Sequence, residues 1–205
     1  MNLEVVKAIS DIVGISTNVL TTSVNFYLTN FRKSNVEKFF EKLIDSKESL
    51  TSIGEREDLQ RYFLSILDKV SNEANIEKIN QWKNVVIRLA TDFKDFDYKD
   101  NFINILDNLS VFDLTVLHHI YSSSQYVSIK ESTINYFLRK NVQNELITHV
   151  LKKLSSHGLI SEVFSSKESL EKMRMNARID ISDNYQTNHL GPLFIKFVSE
   201  GISTK

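Results

Sequence analysis

The chain has no cysteine, one proline and five glycines in 205 residues. Without cysteine there is no disulfide, no thiolate metal site and no cysteine nucleophile, and the composition fits a reducing compartment such as the cytoplasm. So little proline and glycine points to long helices joined by few tight turns. An excess of one charge is lacking too: 25 Lys and Arg face 26 Asp and Glu, a formal net charge of −1. Proteins that hold nucleic acid usually show a clear basic excess. A secretory leader is not expected, because Lys7 is followed by Asp11 and no continuous apolar run leads to a small-residue cleavage site.

Catalytic signatures are equally scarce. There is no glycine-rich phosphate loop, no H-E-x-x-H and no G-x-S-x-G. The histidines are His118, His119, His149, His157 and His189. On a helix the adjacent His118 and His119 diverge by about 100°, and His149 and His157 lie about 12 Å apart, so neither pair closes on one metal ion. Residues 92–100, DFKDFDYKD, alternate acids with aromatics but lack the central glycine and closing glutamate of a calcium loop. They read as a connection between helices. No enzyme activity, cofactor or metal is expected.

What the chain does have is helical periodicity. Residues 12–31 carry no formal charge, and as one helix they would measure about 30 Å, enough to cross a bilayer core. Nine of these 20 are Ser, Thr or Asn. The face formed by Leu20, Val24, Tyr27, Leu28 and Phe31 therefore suits a helix packed on protein, buried or at an oligomer interface, with membrane association as the alternative. A second amphipathic helix covers 32–47, with Val36, Phe39, Phe40, Leu43 and Ile44 inward. Residues 46–54 read as a polar connection. Helices follow over 55–70 (Leu59, Tyr62, Phe63, Ile66, Leu67, Val70) and 76–93 (Ile79, Trp82, Val86, Leu89), with Asn75 as a cap. Trp82 reads as core rather than as a platform for a stacked base. Phe102, Ile105, Leu106 and Leu109 mark a shorter helix.

The clearest stretch is 145–164, ELITHVLKKLSSHGLISEVF. Ile147, Val150, Leu151 and Leu154 recur at i, i+3, i+4, i+7 and predict a helix. His157-Gly158 stops it, and Leu159 to Phe164 reads as a strand. Upstream, Ser110 and Asp113 signal a helix start, with Leu114, Leu117 and Tyr121 following at helical spacing. Tyr126 to Ile129 reads as a short strand, and a helix is expected near 130–140 through Ile134, Phe137 and Leu138. Downstream, ARIDIS alternates Ile179 and Ile181 with Asp180 and Ser182, a period of two that predicts a strand. YQTNHLGPLFIKFV then enters a helix near Asn188, with Leu190, Phe194, Phe197 and Val198 on one face and Pro192 in the first turn.

With LSSHGLI closing a third helix and YQTNHLG leading from a last strand into a helix, residues 109–205 resemble a winged-helix domain. The expected fold is therefore mainly α: an N-terminal helical bundle or set of hairpins over 1–108, then a winged-helix-like α+β domain with a small antiparallel β-hairpin. The resemblance implies that the third helix enters a DNA major groove and that the hairpin touches the backbone. Candidate nucleic-acid residues are then Gln143, Asn144, His149, Lys152 and Lys153 on or near the helix, and Lys167, Lys172, Arg174 and Arg178 in the wing. Glu145 and Thr148 share the exposed face, but Glu145 and Glu168 oppose phosphate. Base readers are few, since no arginine lies on the helix face to grip guanine. Residues 110–205 hold 11 Lys and Arg against 9 Asp and Glu, and residues 1–109 hold 14 against 17.

The whole layout weakly resembles bacterial proteins that join helices to a winged-helix-like tail, some grouped with abortive-infection (phage defence) proteins. That resemblance implies an accessory role in defence or in a mobile element. Two functions are thus weighed. One is a non-enzymatic interaction protein, cytoplasmic, with a protein partner or self-association through its N-terminal helices. The other is a DNA-binding regulator that uses the winged helix. Near-neutral charge and sparse base readers favour the first.

Overall fold

The computed structural model describes residues 3–20, 30–91, 98–123, 128–163 and 184–199. The protein is mainly helical with one small antiparallel sheet near the C-terminus. It divides into two compact units, Met1–Val111 with Lys196–Lys205, and Phe112–Ile195. Among the described residues, 196–199 group with the helical unit.

The helical unit contains α1 (Leu3–Val13), α2 (Asn30–Ile44), a 3-10 helix η1 (Lys47–Ile53), α3 (Glu57–Asn72), α4 (Lys78–Thr91) and α5 (Lys99–Asn108). Val6, Ile9 and Val13 are buried along α1, Val36, Phe39, Phe40 and Leu43 along α2, and Leu59, Phe63, Ile66, Leu67 and Val70 along α3. Each series repeats every three to four residues, so one stripe of each helix faces the core. Phe39 stacks on Phe63 at 6.4 Å between ring centroids, and Trp82 is fully buried. Near the end of the chain, Phe197 packs on Phe102 at 5.5 Å, and Asn84 Nδ2 donates to the Val198 carbonyl at 3.0 Å. Those two contacts tie Phe197 and Val198 to this unit.

Two expectations need correction here. Residues 12–31 are not one continuous helix: α1 ends at Val13, and Gly14 takes φ +65, which reverses the chain. Gly14 also lies against Gly54, whose Cα would be 2.8 Å from a Cβ placed at position 14. Ser16 then starts a new helical turn, its Oγ accepting from Val19 N at 3.3 Å. Leu20 is buried, while residues 21–29 lie outside the described set. Among the described residues, no helix is long and apolar enough to cross a membrane. The second correction concerns 46–54. It is not a plain polar connection but η1, which puts Leu50 and Ile53 into the core and leaves Thr51 exposed.

A buried polar knot ties this unit together. Lys78 Nζ lies 3.1 Å from Glu73 Oε2 and donates to the Asp107 carbonyl at 2.9 Å. Glu73 also accepts from Trp82 Nε1 at 3.4 Å and from Asn75 N at 3.0 Å, and its carbonyl accepts from Asn35 Nδ2 at 2.6 Å. One glutamate in the α3–α4 turn thus engages α2 and α4, and Lys78 carries the link on to α5.

The C-terminal unit is built from α6 (Val111–Ser122), α7 (Ile129–Leu138), α8 (Asn144–Ser156), β1 (Ile160–Val163), β2 (Asn184–Thr187) and the first six residues of α9 (Leu190–Val198). The short strand expected at 126–129 is not formed at its end. Ser128 is the N-cap of α7, accepting from Glu131 N at 3.2 Å, and Ile129 is already helical. Ser128 and Glu131 have the spacing of a capping box, which outweighs the β-branched pair Val127-Ile129. Tyr126 and Val127 lie outside the described residues.

Helix α8 buries Ile147, Val150, Leu151 and Leu154, the four positions that the periodicity gives. Gly158 ends it at φ +71, with Gly158 N donating to the Ser155 carbonyl at 2.8 Å and Leu159 N to the Leu154 carbonyl at 3.0 Å. This is the paired 6→1 and 5→2 pattern of a Schellman stop, and buried Leu159 and Leu154 supply its apolar contact. β1 then pairs antiparallel with β2 in the register Ile160 to Thr187 and Val163 to Asn184. The strand read at 179–182 lies outside the described residues; the paired strand begins at Asn184.

One asparagine fixes the base of the hairpin. Asn188 Oδ1 accepts from Leu190 N at 3.0 Å and Gly191 N at 3.1 Å, capping α9, with Pro192 in the first turn. Its Nδ2 donates to the Gly158 carbonyl at 2.8 Å and to Ser161 Oγ at 3.2 Å. Its backbone N donates to Tyr121 Oη at 3.1 Å, and that hydroxyl donates to the Leu159 carbonyl at 2.6 Å. Asn188→Ala is expected to cost about 2 kcal/mol, a lost cap plus orphaned partners. Asn188→Asp keeps the cap but not the Nδ2 donors and should fall between. Urea denaturation of the three proteins checks the order.

Candidate interaction surface

The surface in question is the outer side of α8 and the turn before it. Gln143 is the exposed N-cap residue and makes no capping hydrogen bond through its side chain. Asn144 opens the helix, and its Oδ1 accepts from Thr148 Oγ1 at 3.5 Å. Glu145, Leu146, His149, Lys152 and Ser156 are exposed, and Thr148 is half-buried. Gln143, Asn144, His149 and Lys152 are therefore all accessible; around α8 His149 and Lys152 lie about 60° apart, whereas Asn144 is turned about 140° from His149. The wing residues Lys167, Lys172, Arg174 and Arg178 lie outside the described residues.

Lys153 behaves differently. Its Nζ reaches Asp113 Oδ2 at 2.7 Å, and Asp113 is 3 % exposed. The cation is drawn down to α6 rather than held out toward solvent. Asp113 stands in the first turn of α6, where a carboxylate also favours the positive end of the helix. His157 is nearby. Burial, and after it Lys153, push its imidazole below the ordinary range, with Asp113 acting the other way.

Sequence reasoning missed two features of this surface. Asp113 reads as an acid that favours the positive end of a helix, yet it lies three and four residues before Val116 and Leu117, on the buried stripe of α6. That spacing was the available signal for a buried partner. Leu146 is 48 % exposed and Leu138, at the end of α7, is 46 % exposed. Leu146 falls outside the apolar periodicity of α8, so the pattern that finds the core passes over it; Leu138 belongs to the expected Ile134, Phe137 and Leu138 pattern, yet it stands exposed at the end of α7. Exposed leucine is common on surfaces taken singly, but here it sits among the residues assigned to phosphate and base contact.

No protein-family model, no curated protein and no solved structure matches this chain.

Proposed function

We propose that the protein is a non-enzymatic interaction protein whose C-terminal half is a winged-helix-like module that binds protein rather than DNA. The observation that carries this reading is the commitment of Lys153 to buried Asp113 at 2.7 Å. It leaves Lys152 as the exposed cation of α8, a helix that also exposes an acid, Glu145, and an apolar side chain, Leu146. DNA affinity is dominated by neutralised phosphates, each adding about 0.9 to the salt slope, and one cation on the inserted helix supplies little of it. An exposed leucine flanked by polar side chains suits the anchor of a protein contact. The wider role, an accessory protein of bacterial phage defence or of a mobile element, rests on the resemblance of layout.

Two measurements test the reading. A photo-reactive amino acid at position 146 of the full chain should give a discrete protein adduct in cells, and the same group at position 65, exposed on α3, should not. Adducts at both positions or at neither would sink the reading. In a mobility assay, random duplex DNA should not shift even at low salt. A salt-sensitive shift that Lys152→Glu with Arg174→Glu abolishes would establish the DNA-binding regulator instead.

A further inference from the structure

We propose that His119 is an acid-sensitive clasp between α6 and α7, which lets α7 go when the imidazole gains a proton. The ring lies flat against Tyr136, with centroids 3.9 Å and planes 14° apart, and faces Phe137 edge-on at 5.6 Å. Tyr136 and Phe137 sit next to each other on α7. Lys140, just past the end of that helix, places its Nζ 4.3 Å from the centre of the Tyr136 ring and donates to Tyr136 Oη at 2.7 Å. The ring contacts of His119 thus fall within one turn of α7, and a cation already occupies that turn.

The hydrogen bonds fix the tautomer. Ser123 Oγ gives its proton to the His119 carbonyl at 2.7 Å, so it has only lone pairs to offer Nδ1 at 3.3 Å. Nδ1 therefore carries the ring hydrogen, and Nε2 is a bare lone-pair nitrogen. Nε2 is shielded from solvent and, among the described residues, has no hydrogen-bond partner. A bare ring nitrogen tolerates such a place far better than a charged N–H, which would be a buried donor with nothing to receive it.

The groups facing the ring give a proton no compensation. From α7 come the neutral phenol of Tyr136 and, beyond the helix end, the ammonium of Lys140. From α6 come neutral Ser123 and the neighbouring His118, which diverges by about 100° around the helix. Burial, and after it Lys140, hold His119 below the ordinary histidine range, and among the described residues no carboxylate acts on it. The sign follows. The unfolded chain takes up the proton near an ordinary pKa of about 6.5 while the folded chain resists it, so the clasp is fully effective above that pH and weakens as pH falls through it toward the lowered folded value.

Helix α7 runs directly into the turn and α8, so its release alters how Leu138 and Leu146 are presented. That consequence rests on the interaction reading above; the clasp itself does not. Hydrogen exchange of the full chain, corrected for intrinsic rates, should be compared at about pH 7.5 and about pH 5.5, either side of the unperturbed value near 6.5. Protection of α7 should fall several-fold at the lower pH while that of α4 holds. His119→Phe, which keeps a stacking ring, should make α7 indifferent to pH. Equal α7 protection at both pH values, or an equal fall in the variant, overturns the proposal. Should the variant fail to fold, the ring resonances of His119 decide the matter in the unaltered protein: titration below the ordinary range supports the clasp, and titration at or above it does not. None of these readouts involves a partner, so they stand or fall apart from the crosslinking result.

Discussion

Glu73→Ala is expected to destabilise the helical unit by about 3–5 kcal/mol, the cost typical of breaking a buried ion pair from one side. The Lys78 and Glu73 side chains are 5 % and 11 % exposed, so water cannot take over the lost contact. Removing the carboxylate leaves the ammonium with the Asp107 carbonyl as its remaining partner in the knot. It also strips the Trp82 indole and the Asn75 amide of their acceptor. Adding Lys78→Met to Glu73→Ala should recover a large part of the loss, because an apolar chain of similar length has no charge to strand. Denaturation followed by the fluorescence of Trp82, the single tryptophan, reports on the same cluster. A loss under about 1 kcal/mol, the range of exposed pairs, would mean that the pair is solvated.

Gly191→Ala has the second large expectation, and propensity alone gets its sign wrong. Gly191 lies in the first turn of α9, where alanine should help a helix by up to about 1 kcal/mol. A Cβ there would stand 2.1 Å from Tyr121 Oη and 2.3 Å from Cζ. Tyr121 has little room to retreat, since its hydroxyl is held by the Leu159 carbonyl and by Asn188 N. The substitution should therefore cost about 3 kcal/mol, the upper end for overpacking. In a Tyr121→Leu background the same change should cost far less, and a double-mutant cycle measures the difference. A gain in stability from Gly191→Ala alone would show that the tyrosine yields freely.

Much of the fold is legible in the sequence because its signals are local. The α8 stripe, the Gly158 stop, the entry to β1 and the placing of Pro192 each depend on residues within two turns of one another. The misreadings have local and non-local causes. Gly14 and Ser16 form a stop and a start only two residues apart, and an uncharged run hides them. Leu50 and Ile53 are spaced for a 3-10 turn, whose period a search for α-helical stripes passes over. Asp113 with Lys153, and Lys78 with the Asp107 carbonyl, are pairings across the fold. Composition shows that such charges exist but not that they are buried. The candidate surface is less legible still, because Leu146 has meaning only once the cation at 153 is known to be turned away.

The base of the hairpin carries a consequence for change over time. Asn188 and Tyr121 hold both strands where they leave the helices, at Leu159 on one side and at the start of α9 on the other. The register from Ile160 to Thr187 is thereby anchored at the base of the hairpin. A change at Asn188 or Tyr121 is consequently felt at both ends of the hairpin, whereas exposed strand residues such as Glu162 and Gln186 are open to substitution.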